Sequence, residues 1–348
     1  MTSGFVGARG RFVARLSFSW FVIGLLTVAL PRAEVPHGKP EDVGLSAKRL
    51  TRINQVIQGE IDTRRISGAV TVVARRGQVA HFEAYGLMDI QAGRPMHKDT
   101  IFPIASMSKP VTGVATLMLV EEGKIRLSDP VSRFIPEFRD TRIALRGAPY
   151  ASIPAHREVT VRDLMTHTSG LVSGGAGAQV AAEVAPRRSS DPVAEWVAAL
   201  GAAPLDFQPG TQWAYSGLAG IDTLGRIVEV ASGMTFDQFL SEKIFQPLGM
   251  KDTTFVVPIN KQSRVVTLYR RSAEGLQLRD LPEWVDTTTL FSGGGGLWST
   301  AEDYLQFAQM LVNNGELNGV RLLGARTVEL MASNHVGDLY ANSGRTRG

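Results

Sequence analysis

The stretch "IFPIASMSKPVTGVATLMLVEEGKI", residues 101–125, sets a serine three places ahead of a lysine at the mouth of an apolar helix. The run "VTGVATLMLV" carries no charge before Glu121. It predicts one largely buried helix over residues 107–122, stopped near Gly123. Pro110 fits the first turn, where no backbone donor is required. Positions i and i+3 share a helix face with Cβ atoms about 5–6 Å apart, so the Lys109 amine can reach the Ser106 hydroxyl. Burial at the helix entrance disfavours an ammonium and makes the neutral amine available as a base. The helix N-terminus also favours a developing oxyanion. The competing reading is structural, with Ser106 as an N-cap and Lys109 as a solvated side chain.

Upstream, "AKRLTRINQVIQGEI" places Leu50, Ile53, Ile57 and Ile61 at helical spacing. "SGAVTVVARRGQVAHFEAYGLMD" (residues 67–89) reads as a β-hairpin with Gly77 in its turn. Downstream, "TVRDLMTHTSGL" reads as a short helix ending at Gly170, and residues 173–192 read as a mobile loop. Helical periodicity returns over 192–200, 218–233 and 235–250, and strand-like runs follow at "TTFVVP" (253–258) and "RVVTLYRR" (264–271). "FSGGGGLWSTAEDYLQFAQMLVNNG" (291–315) is a Gly-rich bend entering another amphipathic helix. Strands at both ends around a helical insertion predict an α+β fold, with a binding cleft where the parts meet.

The 348 residues are 44% hydrophobic and 20% charged, as in a globular chain, with a net charge of +4. Arg9, Arg11, Arg15 and Arg32 supply much of that charge, and the rest is nearly balanced, so no nucleic-acid partner is implied. With no cysteines, disulfides, thiol catalysis and thiolate metal sites are excluded. No two of the six histidines stand at i, i+4, and neither a metal nor an organic cofactor is expected. Three arginines precede the apolar run Leu16–Leu30, which is short for a bilayer span. Residues 1–33 therefore predict an export signal to the periplasm or exterior, the alternative being an uncleaved N-terminal membrane anchor. Nothing in these patterns speaks to oligomeric state.

The segment "WAYSGLAG" adds Tyr215, a core aromatic by itself and a proton relay beside an activated Ser–Lys pair. At this point the chain resembles serine hydrolases related to class C β-lactamases, penicillin-binding proteins and the β-lactamase-like (family VIII) carboxylesterases. The resemblance runs from about Pro36 onward and rests on "FPIASMSKPVTG", "VRDLMTHTSGL", "FQPGTQWAYSGLAGIDTLGRIVE", "FLSEKIFQPLGMKDTTF" and "SGGGGLWSTAEDYLQFAQMLVNNG" in that order. It implies a β-lactamase/transpeptidase-like fold: an antiparallel sheet flanked by helices in residues 34–348, with a mostly helical subdomain at roughly 118–250. It also implies that Ser106 is acylated, that Lys109 is its base partner and that Tyr215 shares the proton transfers.

Two departures from the family pattern matter. Where the family's Tyr-x-Asn motif has an amide that helps bind a β-lactam side chain, this chain has Gly217, which favours the esterase-like members. The third motif, Lys-Thr-Gly or an equivalent on a late strand, has no counterpart beyond "HVG" (His335–Gly337), which reads as a helix end and loop. By the resemblance, the C-terminal strands that complete the sheet and bring a second oxyanion donor are expected to be missing before Gly348. Gly293–Gly296 lacks the lysine and frame of a phosphate loop, and no G-x-S-x-G elbow supports a triad through His167. The expectation is an exported serine hydrolase acting through an acyl-enzyme on a small ester or amide. Its rivals are a β-lactamase or D-alanyl-D-alanine carboxypeptidase, and a catalytically inactive or truncated homologue.

Overall fold

Ser46 opens the first helix, α1 (Ala47–Asp62), by accepting the Arg49 N–H on its hydroxyl. The expected stripe Leu50, Ile53, Ile57 and Ile61 is half-buried along this helix. The computed structural model describes residues 35–341 apart from 189 and 282–288, together with residues 1, 2 and 4. The chain divides into the units Met1–Arg32 and Ala33–Gly348, and every element here belongs to the second. The export-signal or anchor expectation on residues 1–33 falls almost wholly outside the described residues.

β1 (Gly68–Arg75) and β2 (Gln78–Asp89) form the expected antiparallel hairpin. Arg76 and Gly77 both have positive φ, 54° and 74°, the geometry whose twist suits a two-residue hairpin turn. Tyr85 on β2 donates to the Asn54 side chain at 2.6 Å and ties the hairpin to α1. β3 (Arg94–Pro95) adds to the far side of β2, giving the order β1-β2-β3. β4 (Phe102–Pro103) then leads into a 3₁₀ turn, Ala105–Met107, and into α2 (Ser108–Glu121). The predicted central helix is present, with Ser106 on the tighter turn just ahead of it.

The middle of the chain is mostly helical. It holds the hairpin β5 (Arg142–Leu145) and β6 (Ala148–Pro154), then α3 (Val161–Met165), α4 (Ala176–Val184), α5 (Val193–Ala202) and α6 (Ala219–Ser232). α7 (Phe236–Leu240) and α8 (Gln246–Leu248) are joined by one wider helical turn at Ser241–Phe245. The last part holds the hairpin β7 (Tyr269–Ser272) and β8 (Gly275–Leu278), then β9 (Trp298–Ser299) and α9 (Ala301–Val312). The ribbon β10 (Glu316–Leu317) and β11 (Val320–Arg321) and the short α10 (Ala325–Met331) follow. The class is α+β, as expected. Among the described residues no helix is long and apolar enough to cross a membrane.

Several local expectations are corrected. Residues 173–192 are not a loop throughout, because Ala176–Val184 is helical. Asp206 explains why: it takes Ala178 N–H at 2.8 Å and Ser173 N–H at 2.6 Å, capping α4 from across the fold. Gly177 packs so closely on Pro204 and Leu205 that a Cβ would lie 2.3 Å from a backbone oxygen. α3 stops at Met165, short of Gly170, because His167 already sits at φ 58°. "TTFVVP" is not a strand; only Thr254 pairs, with Trp298. Of 264–271 only Tyr269–Arg271 joins a strand.

The core gathers around α2 and α6. Val114, Leu117, Leu119, Leu224, Ile227 and Val228 are at most 2% exposed. Each such side chain contributes about 1.5–3 kcal/mol by leaving water. β4 pairs antiparallel with β9, Phe102 opposite Ser299 and Pro103 opposite Trp298. The Ile104 N–H adds a bond to Leu297 at 2.9 Å. This short ladder brings the Ser106 turn against the Gly-rich bend.

Candidate active site

Ala105 precedes the serine at φ 44°, a left-handed conformation that costs an alanine about 1 kcal/mol or more. The turn is held from outside by Tyr304 of α9, whose hydroxyl donates to the Met107 carbonyl at 3.0 Å. Burial raises the Tyr304 pKa, which keeps that donor protonated. Ser106 is exposed at the surface of this turn, and half-buried Lys109 stands one helical turn on.

The structure brings three of the four sequence-selected residues together. Lys109 Nζ lies 3.1 Å from Ser106 Oγ, and the Tyr215 hydroxyl donates to the same oxygen at 2.9 Å. Lys109 also donates to the Gly294 carbonyl at 2.6 Å and lies 5.1 Å from the centre of the Tyr215 ring. The lysine thus stands within proton-transfer distance of the serine hydroxyl, while its bond to the Gly294 carbonyl fixes its direction. Gly217, the fourth residue, is half-buried two places after Tyr215, and a Cβ built there meets nothing within 4 Å.

Tyr215 is clamped by His167. The backbone N–H of Ala214 bonds the His167 carbonyl at 3.1 Å, and that of Ser216 bonds the imidazole Nδ1 at 3.3 Å. The His167 and Tyr215 rings lie 4.8 Å apart at 47°. Burial, reinforced by the Lys109 charge, pushes the His167 pKa down to about 4. The ring is therefore neutral near pH 7 and keeps its proton on Nε2, since Nδ1 accepts. With Nδ1 turned to Ser216 rather than Ser106, the arrangement speaks against a serine–histidine relay.

The Gly-rich bend is fixed by residues the sequence reading did not single out. Asp222, fully buried in the first turn of α6, accepts the Gly294 N–H at 2.8 Å. It also accepts the Ser292 hydroxyl at 2.8 Å and an Arg187 N–H at 3.1 Å. Burial pushes its carboxyl pKa upward, while the Arg187 charge, the Gly294 N–H and the Ser292 hydroxyl pull against that rise. Thr112, one turn after Lys109 on α2, donates to the Gly293 carbonyl at 2.9 Å. Glycine is required at 293, where a Cβ would lie 2.8 Å from the Thr112 hydroxyl. The one available signal for Asp222 was an acid among Ile221, Leu224 and Ile227 on an apolar helix face.

His335 lies after α10 in irregular backbone, not on a strand, with its Nε2 2.6 Å from the Leu330 carbonyl. It lines, with Lys109 and His167, a cavity of about 290 Å³ beside the site. Among the described residues no three His, Asp or Glu side chains converge as metal ligands do.

A serine held between an amine and a phenol in this α+β frame defines a serine hydrolase of the β-lactamase/transpeptidase-like fold. The model of the Beta-lactamase family matches residues 53–348, and the chain belongs to that family. An uncharacterized protein of Mycobacterium tuberculosis is 39% identical over 285 residues, 80% of this chain and 70% of the relative. Esterase EstB of Burkholderia gladioli is 34% identical over 293 residues, 77% of this chain and 71% of its own length. Among solved structures, EstCE1, described as a hydrolase with promiscuous acyltransferase activity, is 28% identical with a TM-score of 0.68, covering 82% of this chain and 78% of that one.

Proposed function

We propose that this chain hydrolyses small carboxylic esters through an acyl-enzyme on Ser106. The observation that carries the reading is the double contact on Ser106 Oγ, Lys109 at 3.1 Å and Tyr215 at 2.9 Å. Ser106 Oγ bonds to the ester carbonyl carbon as its proton passes to the Lys109 amine, and the carbonyl electron pair moves onto oxygen. Collapse breaks the carbon–alkoxy bond, and Tyr215 gives its proton to the leaving alcohol while Lys109 reprotonates it. Water then repeats the sequence in reverse, releasing the carboxylic acid and free Ser106. The esterase name of EstB and the hydrolase description of EstCE1 support an ester substrate. So does Gly217, which offers no side-chain amide to a lactam.

The test combines labelling with a substrate comparison. A fluorophosphonate should label wild-type protein but not Ser106→Ala, and Lys109→Ala should react on the order of 10²-fold more slowly. Short-chain p-nitrophenyl esters should be turned over with higher kcat/KM than nitrocefin. Label retained in Ser106→Ala removes the nucleophile assignment. A preference for nitrocefin turns the reading to a β-lactamase or carboxypeptidase. We further propose export, supported by the arginines before Leu16–Leu30. A fusion of residues 1–40 to alkaline phosphatase should be active outside the cytoplasm, and an inactive fusion would retire that reading.

A further inference from the structure

The cavity beside the site follows one face of α2. Lys109, Gly113 and Leu117 line it at i, i+4 and i+8, so the lining runs about 12 Å along the helix at ~1.5 Å per residue. Ile221 and Leu224 of α6 form another part of its wall. Leu117, Ile221 and Leu224 are core side chains at most 4% exposed, so most of this wall is preformed. Lys109, which contacts Ser106, and His167, which packs on Tyr215, line the cavity as well, so it opens beside the catalytic centre. Arg162, Thr166 and His335 are its other polar lining residues. At 290 Å³ the cavity has room for on the order of eight to ten methylene-sized groups, each comparable to the ≈ 30 Å³ share of a water.

Gly113 is the telling residue. It sits inside α2, where glycine is a poorer helix former than alanine. A Cβ built on it meets nothing within 4 Å, so no neighbouring atom requires glycine here. The absent side chain keeps the middle of the cavity open.

The geometry points to this cavity as the binding site for a medium-length linear acyl chain of octanoyl type, carried on Ser106 during turnover. This assignment rests on the ester-hydrolase reading. The acyl half stays covalently attached through both half-reactions while the alcohol must leave and water must enter. A walled apolar slot suits the half that is retained.

The experiment measures kcat/KM for p-nitrophenyl acetate and octanoate in wild type, Gly113→Ala and Gly113→Leu. Each pair of methylenes buried in an apolar slot is worth roughly a tenfold gain. Octanoate exceeds acetate by six methylenes, so full burial would give on the order of 10³-fold. Burial of even two of them should make wild type prefer octanoate by about tenfold. Gly113→Leu should lower the octanoate-to-acetate ratio at least about tenfold, with Gly113→Ala between. A ratio in folded Gly113→Leu within twofold of wild type overturns the assignment. Calorimetry with sodium octanoate on Ser106→Ala gives a readout independent of turnover. Binding should be present there and lost on adding Gly113→Leu, and octanoate that does not bind Ser106→Ala overturns the assignment outright. If octanoate binds in this Gly113-dependent way while no ester is hydrolysed and no fluorophosphonate reacts, the cavity stands and the hydrolase reading falls.

Discussion

Replacing Asp222 by asparagine separates the fold's hold on the Gly-rich bend from the chemistry at Ser106. The carboxylate receives donors on both oxygens: Gly294 N–H and the Ser292 hydroxyl on Oδ1, Arg187 on Oδ2. An asparagine has one acceptor oxygen, so either Arg187 or Gly294 must face its NH₂ group. A bond to a charged donor is the stronger, so the oxygen turns to Arg187 and the Gly294 N–H is orphaned. A buried N–H without a partner costs about 1–3 kcal/mol. At about 2 °C per kcal/mol for a unit of this size, Tm should fall by roughly 2–6 °C. The larger effect is on reaction. The Gly294 carbonyl is bonded to Lys109 at 2.6 Å, so displacing that peptide by about 1 Å should slow acylation of Ser106 up to about 10²-fold. The assays are a thermal melt and the rate of fluorophosphonate labelling. Ser292→Ala, which leaves Asp222 on Gly294, should keep most of the labelling rate. If Asp222→Asn reacts within threefold of wild type, the carboxylate does not position Lys109 and the reasoning fails.

Gly217→Asn should fold with an unchanged Tm, since its Cβ enters open space, and should move the ratio of nitrocefin to ester turnover toward the lactam. A ratio that stays put would mean the amide position is not part of substrate recognition. His167, with its pKa pushed down to about 4, takes up no proton in the fold until well below the ordinary value near 6.5, so its contribution to stability is lost as pH falls through that window. Asp303, pushed up to about 6 by burial, acts oppositely and favours the fold toward lower pH between about 4 and 6. Each is worth about 3 kcal/mol at 1.36 kcal/mol per unit. Asp303→Asn should therefore expose a loss of Tm on going from pH 6.5 to pH 4 that wild type shows only weakly, and equal slopes in the two proteins would refute this.

What the sequence made legible was what neighbours along the chain decide. The i, i+3 spacing placed Lys109 by Ser106, and Arg76-Gly77 named its own turn. What it hid depends on partners far away in sequence. α4 is capped by Asp206, 28 residues from Ala178, so its Gly- and Ala-rich sequence read as loop. Asp222 acts on Gly294 across 72 residues, and nothing near "AGIDTLG" reveals that partner. "TTFVVP" has strand composition, yet Phe255 turns into the helical core beside Phe236 while Val257 packs on Ile101 and Trp298. Tertiary burial there overrides β propensity.

These distant contacts explain why the Ser106–Lys109–Tyr215 arrangement exists only in the folded chain. In an isolated helix Lys109 would sample many rotamers on its flexible stem. Here three contacts, two of them from distant segments, remove that freedom. The Gly294 carbonyl takes one N–H, the Tyr215 ring lies against the amine, and Ser106 Oγ occupies the remaining direction. Each constraint is anchored by a different element: buried Asp222 on α6 for the bend, and half-buried His167 after α3 and Tyr304 on α9 for the tyrosine and the serine turn. The strained Ala105 turn survives because β4–β9 pairing and Tyr304 over-determine it from both sides. Loosening any one anchor should therefore lower the rate of Ser106 acylation before it lowers global stability, since about 1 Å of misplacement already costs a large factor in rate.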